Sequence, residues 1–284
     1  MQSSCDALYQ HVNFLTALRP FRNWENLESL EEVCRYLNRE FSHYGLEVCE
    51  QPFQVRGNEY KNIIGTYNPE KKRRLIVGAH YDVCGDQPGA DDNGSAVAGL
   101  LESARMVAES QPDLDYRIDF VAYCLEEPPF FGTQQMGSYI HAESLRNIKS
   151  DVIGLINFEM IGYFHDGDQE YPHEGLKQVY PKQANFIAVV GKHSYHAFNQ
   201  RVFELMKQDA KIDVQMIDHP MVEELAGMSD QRSYWEFDIP ALMINDTSFI
   251  RNPHYHQMSD DIDTLSFDHM QWVVTATYRA IVGL

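Results

Sequence analysis

A succession of short apolar runs, separated by stretches of helical periodicity, does most to limit the folds open to this chain. "EVCEQPFQV" and "YKNIIGTYN" read as short strands joined as a hairpin through "RGNE". "KKRRLIVGAH", "YRIDFVAYC", "VIGLINFEM", "NFIAVVGK" and "IPALMIND" read as further strands. Between several of them lie helical stretches: "NGSAVAGLLESARMVAES", "SYHAFNQRVFELMKQDA" and the C-terminal "SFDHMQWVVTATYRAIVG". An amphipathic helix is expected over about residues 24–44, where Leu27, Leu30, Val33, Leu37 and Phe41 fall at helical spacing before Gly45. Strands alternating with helices imply an α/β fold, with a mixed, mainly parallel sheet covered by helices on both faces. No repeat, low-complexity tract or Gly/Ser linker divides the chain, so one globular domain over 1–284 is expected, with the N-terminal helix packed on it.

The chemistry falls where these strands end. "FVAYCLEEPPFFG" closes a buried strand with Glu126 and Glu127, then Pro128 and Pro129. Charge is costly at the end of a core strand unless something there wants it, and the prolines set the carboxylates on a stiff turn. "LIVGAHYDVCG" puts His80 and Asp82 at another strand end, and "PGADDNGSA" puts Asp91 and Asp92 just before a helix. "INFEMIGYF" ends a strand with Glu159, and "RNPHYHQMSDDIDTL" carries His254 and His256 after "PALMIND". In an open α/β sheet the carboxyl ends of the strands share one edge, where ligands bind. Groups distant in sequence therefore converge.

Carboxylates with two imidazoles suit Zn²⁺, with Mn²⁺ or Co²⁺ as alternatives. Two ions about 3.5–4 Å apart need a bridging carboxylate and terminal ligands on each. The inventory fits Asp91 as the bridge, His80 and Glu159 on one ion, and Glu127 and His256 on the other. Glu126 is left free to take a proton from water and hand it to a leaving amine. Duller readings stand beside these. His80 could be a satisfied core histidine, Asp91 or Asp92 a helix cap, and Glu159 a solvated residue. His193, His196 and His254 read as surface residues or as supports rather than ligands. No short zinc signature such as H-E-x-x-H is present.

A formal charge of −19 disfavours nucleic acid and anionic membrane as partners and fits a cleft that attracts cations. No apolar stretch approaches the roughly 20 residues of a membrane span. The opening "MQSSCDALYQHVNF" is not a recognisable signal peptide, and the five cysteines are scattered with no C-x-x-C pair. A cytoplasmic, reducing location is expected.

"GAHYDV", "PGADDNGSAVAGLLESAR", "FVAYCLEE", "INFEMIG" and "RNPHYHQMSDDIDTL", in this order, resemble the di-zinc aminopeptidase family, which includes glutamate-carboxypeptidase-like and glutaminyl-cyclase-like members. The match runs from about Asn62 to Leu265. The resemblance implies a zinc-exopeptidase-like fold and two zinc ions held by His80, Asp91, Glu127, Glu159 and His256. It also implies Glu126 as general base, Asp82 orienting His80 through a ring nitrogen, and a strained cis Asp91–Asp92 peptide. Many members carry Asp where this chain has Glu159, which bears on the occupancy of that first metal position.

The leading expectation is hydrolysis of a peptide bond at a free N-terminus. The rivals are cyclisation of N-terminal glutamine on one zinc, and a binding scaffold without turnover. The substrate is a peptide or another amino-acid derivative. Phe130, Phe131, Tyr163, Tyr234 and Trp235 suggest an aromatic pocket wall, although large aromatics also serve as core. Ser229 and Asp230 either touch substrate or cap a turn.

Overall fold

The computed structural model describes residues 1–284, apart from the side chains of Ser150 and Val179. The strands are β1 (Glu47–Val55), β2 (Asn58–Tyr67), β3 (Arg74–His80), β4 (Arg117–Tyr123), β5 (Val152–Glu159), β6 (Phe186–Gly191), β7 (Asp213–Ile217) and β8 (Ala241–Asn245). The helices are α1 (Cys5–Ala17), α2 (Leu27–His43), α3 (Ala96–Ser110), α4 (Gly137–Leu145), α5 (Glu174–Val179), α6 (His196–Lys207), α7 (Glu223–Ala226), α8 (Gln231–Trp235) and α9 (Phe267–Gly283).

The strands form one eight-stranded sheet in the order β1-β2-β4-β3-β5-β8-β6-β7. β4, β3, β5 and β8 run parallel at its centre, so their carboxyl ends share one edge. β2 joins β4 and β6 joins β8 antiparallel, and β7 runs parallel to β6. The carboxyl ends of β6 and β7 therefore lie at the opposite edge.

Side chains alternate strictly along the central strands, as the pleat requires. Leu75, Val77 and Ala79 of β3 join Ile118, Phe120 and Ala122 of β4 in the core beneath α1, α2, α3, α6 and α9. Ile76, Val121, Tyr123 and Leu155 face the other way, against Ala142 and Leu145 of α4 and Tyr234 of α8. This two-sided burial explains the continuous apolar runs of these strands. In α2, Leu30, Val33, Leu37 and Phe41 are buried as their spacing predicts, while Leu27, the first helical residue, is exposed. Gly45 ends that turn at φ +79°, a conformation open to glycine at little cost.

On the α4/α8 face the Tyr123 and Tyr234 hydroxyls meet at 2.6 Å, and Tyr234 Oη lies 2.6 Å from His141 Nδ1. Burial holds His141 down at about 4, so this ring is neutral at ordinary pH. The Tyr123 ring lies against Gly78, where an added Cβ would fall 2.9 Å from the hydroxyl oxygen and closer still to a ring carbon. Gly78→Ala therefore displaces the ring and breaks the chain of hydroxyls. It should lower stability by about 1–3 kcal/mol in urea unfolding; an unchanged midpoint would show that the face tolerates the extra methyl group.

Candidate metal centre

Each acidic pair stands on a turn whose backbone is clamped by a third carboxylate. Asp82, just past β3, accepts the N–H of Glu126 on Oδ1 and that of Glu127 on Oδ2, both at 3.1 Å. Asp260 repeats the device, accepting the N–H of Asp91 at 2.9 Å and that of Asp92 at 3.0 Å. Bonds from two adjacent amides fix the turn and also hold the clamping carboxylate in place. Asp260 is itself pushed up to about 8, by burial first and then by the charge of Asp91. Behind both turns lies the fully buried Arg22, which donates to the carbonyls of Leu15, Tyr81, Pro88 and Gly89. Its charge is spent on backbone and so opposes the acidic cluster only at a distance.

In front of the turns four of the five predicted ligands, His80, Glu127, Glu159 and His256, converge around Asp92. His80 Nε2 lies 3.5 Å from Asp92 Oδ1, 3.4 Å from Glu159 Oε2 and 3.8 Å from Glu126 Oε2. His256 Nε2 lies 3.1 Å from Asp92 Oδ2 and 3.4 Å from Glu127 Oε2. Asp92 thus offers one oxygen to each imidazole. Of the adjacent glutamates, Glu126 turns to His80 and Glu127 to His256.

At one position the structure departs from the sequence expectation. Asp91, expected to bridge, does not face this crevice. Its Oδ1 accepts from Gly162 N at 2.8 Å and Ser95 Oγ at 3.1 Å, and its Oδ2 from Asn252 Nδ2 at 2.7 Å. Asp91 ties three loops together, and it is Asp92 whose carboxylate lies between the two imidazoles. The cis peptide is likewise Asp92–Asn93 rather than Asp91–Asp92. Successive side chains of an extended turn point to opposite sides, so a one-residue shift exchanges their environments. Asp82 also differs in detail: His80 Nδ1 is nearer its main-chain oxygen, at 3.2 Å, than its carboxylate, at 3.6 Å. A proton on Nδ1 leaves the Nε2 lone pair facing the crevice.

Supporting residues fix the rest. Ser229 Oγ donates to Glu159 Oε2 at 2.7 Å, and Asn93 Nδ2 lies 3.3 Å from the same oxygen. His254 turns away to Ser259 Oγ at 2.9 Å. His193 and His196 meet Asp218 at the opposite sheet edge. Sequence reasoning missed Asp260 and Arg22. Nothing in spacing separates Asp260 from Asp261 and Asp263, and an arginine within "LRPFRNW" carries no sign that it is buried.

The donor set fits a cation. Glu127 Oε1 is buried without a hydrogen-bond partner, and so are both oxygens of Asp230, beside the centre. His256 Nε2, although 3.1 Å from Asp92, is not aligned to donate to it. Burial, followed by the charge of Asp92, pushes Glu127 up to about 8. Burial pushes Asp230 up to about 7 and, with neighbouring carboxylates, lifts Glu126 well above the carboxylate range against the pull of His80. Buried oxygens with no donors and carboxyls resisting ionisation are the signature of a place where positive charge belongs.

The acidic crevice opens on a second, apolar cavity of about 740 Å³, measured with its open mouth. Leu176, Ile217, Val222, Leu225 and Met243 line it, and Glu159, Met228 and Tyr255 are shared with the crevice. Of the aromatics expected in a pocket wall, Phe131 lines the acidic crevice, whereas Phe130 and Tyr234 are core.

Residues 62–280 match the model of Peptidase family M28. The uncharacterised protein YfbL of Escherichia coli is 37% identical over 282 residues, covering 96% of this chain and 86% of that protein. A probable leucine aminopeptidase of Arthroderma otae is 29% identical over 229 residues, covering 75% of this chain and 54% of its own length. Among solved structures, the LapA aminopeptidase of Legionella pneumophila superposes with a TM-score of 0.78 at 22% identity, covering 98% of this chain and 71% of that one. A glutaminyl cyclase of Bacteroides thetaiotaomicron superposes with a TM-score of 0.76 at 21% identity, covering 100% and 99%. At such identities the superpositions speak for the fold, and a family match over most of the length carries the assignment: the chain belongs to peptidase family M28.

Proposed function

We propose that the chain is a zinc-dependent aminopeptidase that removes residues with apolar side chains from the N-termini of peptides. The observation that carries this reading is the convergence of His80, Asp92, Glu127, Glu159 and His256 at the mouth of an apolar cavity. His80, Asp92 and Glu159 would hold one ion, and Asp92, Glu127 and His256 a second. Zinc in such a place supplies Lewis-acid polarisation of a carbonyl and makes water acidic near neutral pH.

The chain's own residues do the rest. Glu126 stands beside the centre on the clamped turn, where burial raises its affinity for a proton. With cations in the crevice favouring its ionised form, it would take a proton from the attacking water and return it to the departing amine. The surrounding carboxylates receive the substrate's terminal ammonium, and the cavity below Met228 takes the first side chain. Asp82 and Asp260 hold the two turns in register. Among the described residues no helix is long and apolar enough to cross a membrane.

Glu126→Gln should keep its zinc and lose at least about a hundredfold in kcat/KM on aminoacyl-anilides; activity within tenfold of the parent removes Glu126 from this role. Asp92→Asn should lose bound zinc, measured by elemental analysis. Asp91→Asn should retain zinc and unfold at a lower temperature, and the reverse pattern would restore Asp91 as the bridge. Leucyl- and methionyl-anilides should be cleaved in preference to glutamyl- and glycyl-anilides. A zinc-to-chain ratio near one, with cyclisation of N-terminal glutamine and no anilide cleavage, would favour the cyclase reading, and neither zinc nor turnover would leave a binding scaffold.

A further inference from the structure

Cys84 lies in the loop between Asp82 and the Asp91–Asp92 turn, partly buried beside the crevice. Its Sγ, a Glu127 carboxylate oxygen and a His256 ring nitrogen lie within 4.8 Å of one another. Independently, Glu127 Oε1 is buried with no hydrogen-bond partner, and His256 Nε2 is unaligned with Asp92. A cation placed between these three side chains would be bound by all of them.

We propose that Cys84 is a protein ligand of the ion held by Asp92, Glu127 and His256, an inference that rests on the metal centre described above. On binding, the S–H bond breaks, a sulfur–metal bond forms and the proton leaves to solvent. Cys84 would thus add a sulfur donor beside Glu127 and His256, whereas the ion held by His80, Asp92 and Glu159 would have nitrogen and oxygen donors alone. The two positions would then differ in the character of their donors.

The test uses the full chain loaded with cobalt(II), in the parent, Cys84→Ser and Cys84→Ala, with circular dichroism to verify folding. The parent should show a near-ultraviolet thiolate-to-cobalt charge-transfer band, absent from both variants, while visible cobalt bands persist in all three. In the variants the second equivalent should bind at least about tenfold more weakly. Labelling by iodoacetamide, read peptide by peptide, should be suppressed by zinc at Cys84 and unaffected at the exposed Cys49. Visible cobalt bands without the charge-transfer band in the parent, or labelling of Cys84 indifferent to zinc, would overturn the role of Cys84 and leave the carboxylate–imidazole centre standing. Failure of the parent to bind cobalt at all would overturn both.

Discussion

Crowding of buried negative charge is the constraint around which this molecule is organised. Asp82, Asp91, Asp92, Glu126, Glu127, Glu159, Asp230, Asp246 and Asp260 are all buried along one edge of the sheet. Burying one ionised carboxylate without a partner is costly, and burying several together more so. The fold meets this in stages. Backbone amides take the oxygens of Asp82 and Asp260, loop donors take those of Asp91, and Ser229 and Asn93 take one oxygen of Glu159. What remains unsatisfied lies around His80 and His256. The residue of negative charge is thus concentrated at a point where a cation would restore the balance.

The parallel centre of the sheet makes this concentration possible. β3, β4, β5 and β8 deliver their ends to one edge, so His80, the Glu126–Glu127 turn, Glu159 and the loop carrying His256 need no long excursions to meet. Asp82 and Asp260 then set each turn to within a hydrogen bond. Such clamping would serve the proposed reaction, because a proton acceptor beside an electrophilic centre works only when its position is held before substrate arrives. Under the proposed reading, the apolar cavity on the far side of Glu159 would add selectivity at the same site through shape and dehydration.

Much of this was legible in the sequence. The central strands announce themselves as apolar runs too continuous for a half-exposed sheet, and the placement of acids and histidines after them points to the shared edge. Other parts were hidden for physical reasons. β7 is short and half-exposed, so "DVQMI" shows no clear period. α1 lies outside the strand–helix alternation, and α4 has little amphipathic contrast in "GSYIHAESL" because its buried stripe carries Gly137, Ser138 and His141 while Tyr139 and Ile140 lie half-buried outside it. The exchange of Asp91 for Asp92 shows a deeper limit. Neighbouring identical residues are told apart only by the path of the backbone, and here that path is set by Asp260, far along the chain.

The central claim is that Asp92 stands between two cations on the lip of the sheet. Anomalous diffraction at the zinc edge from crystals of the zinc-loaded protein tests it most directly. The account predicts two peaks flanking the Asp92 carboxylate, one on the side of His80 and Glu159 and the other on the side of Glu127 and His256. Peaks centred on Asp91, or zinc bound only away from this edge, would contradict it.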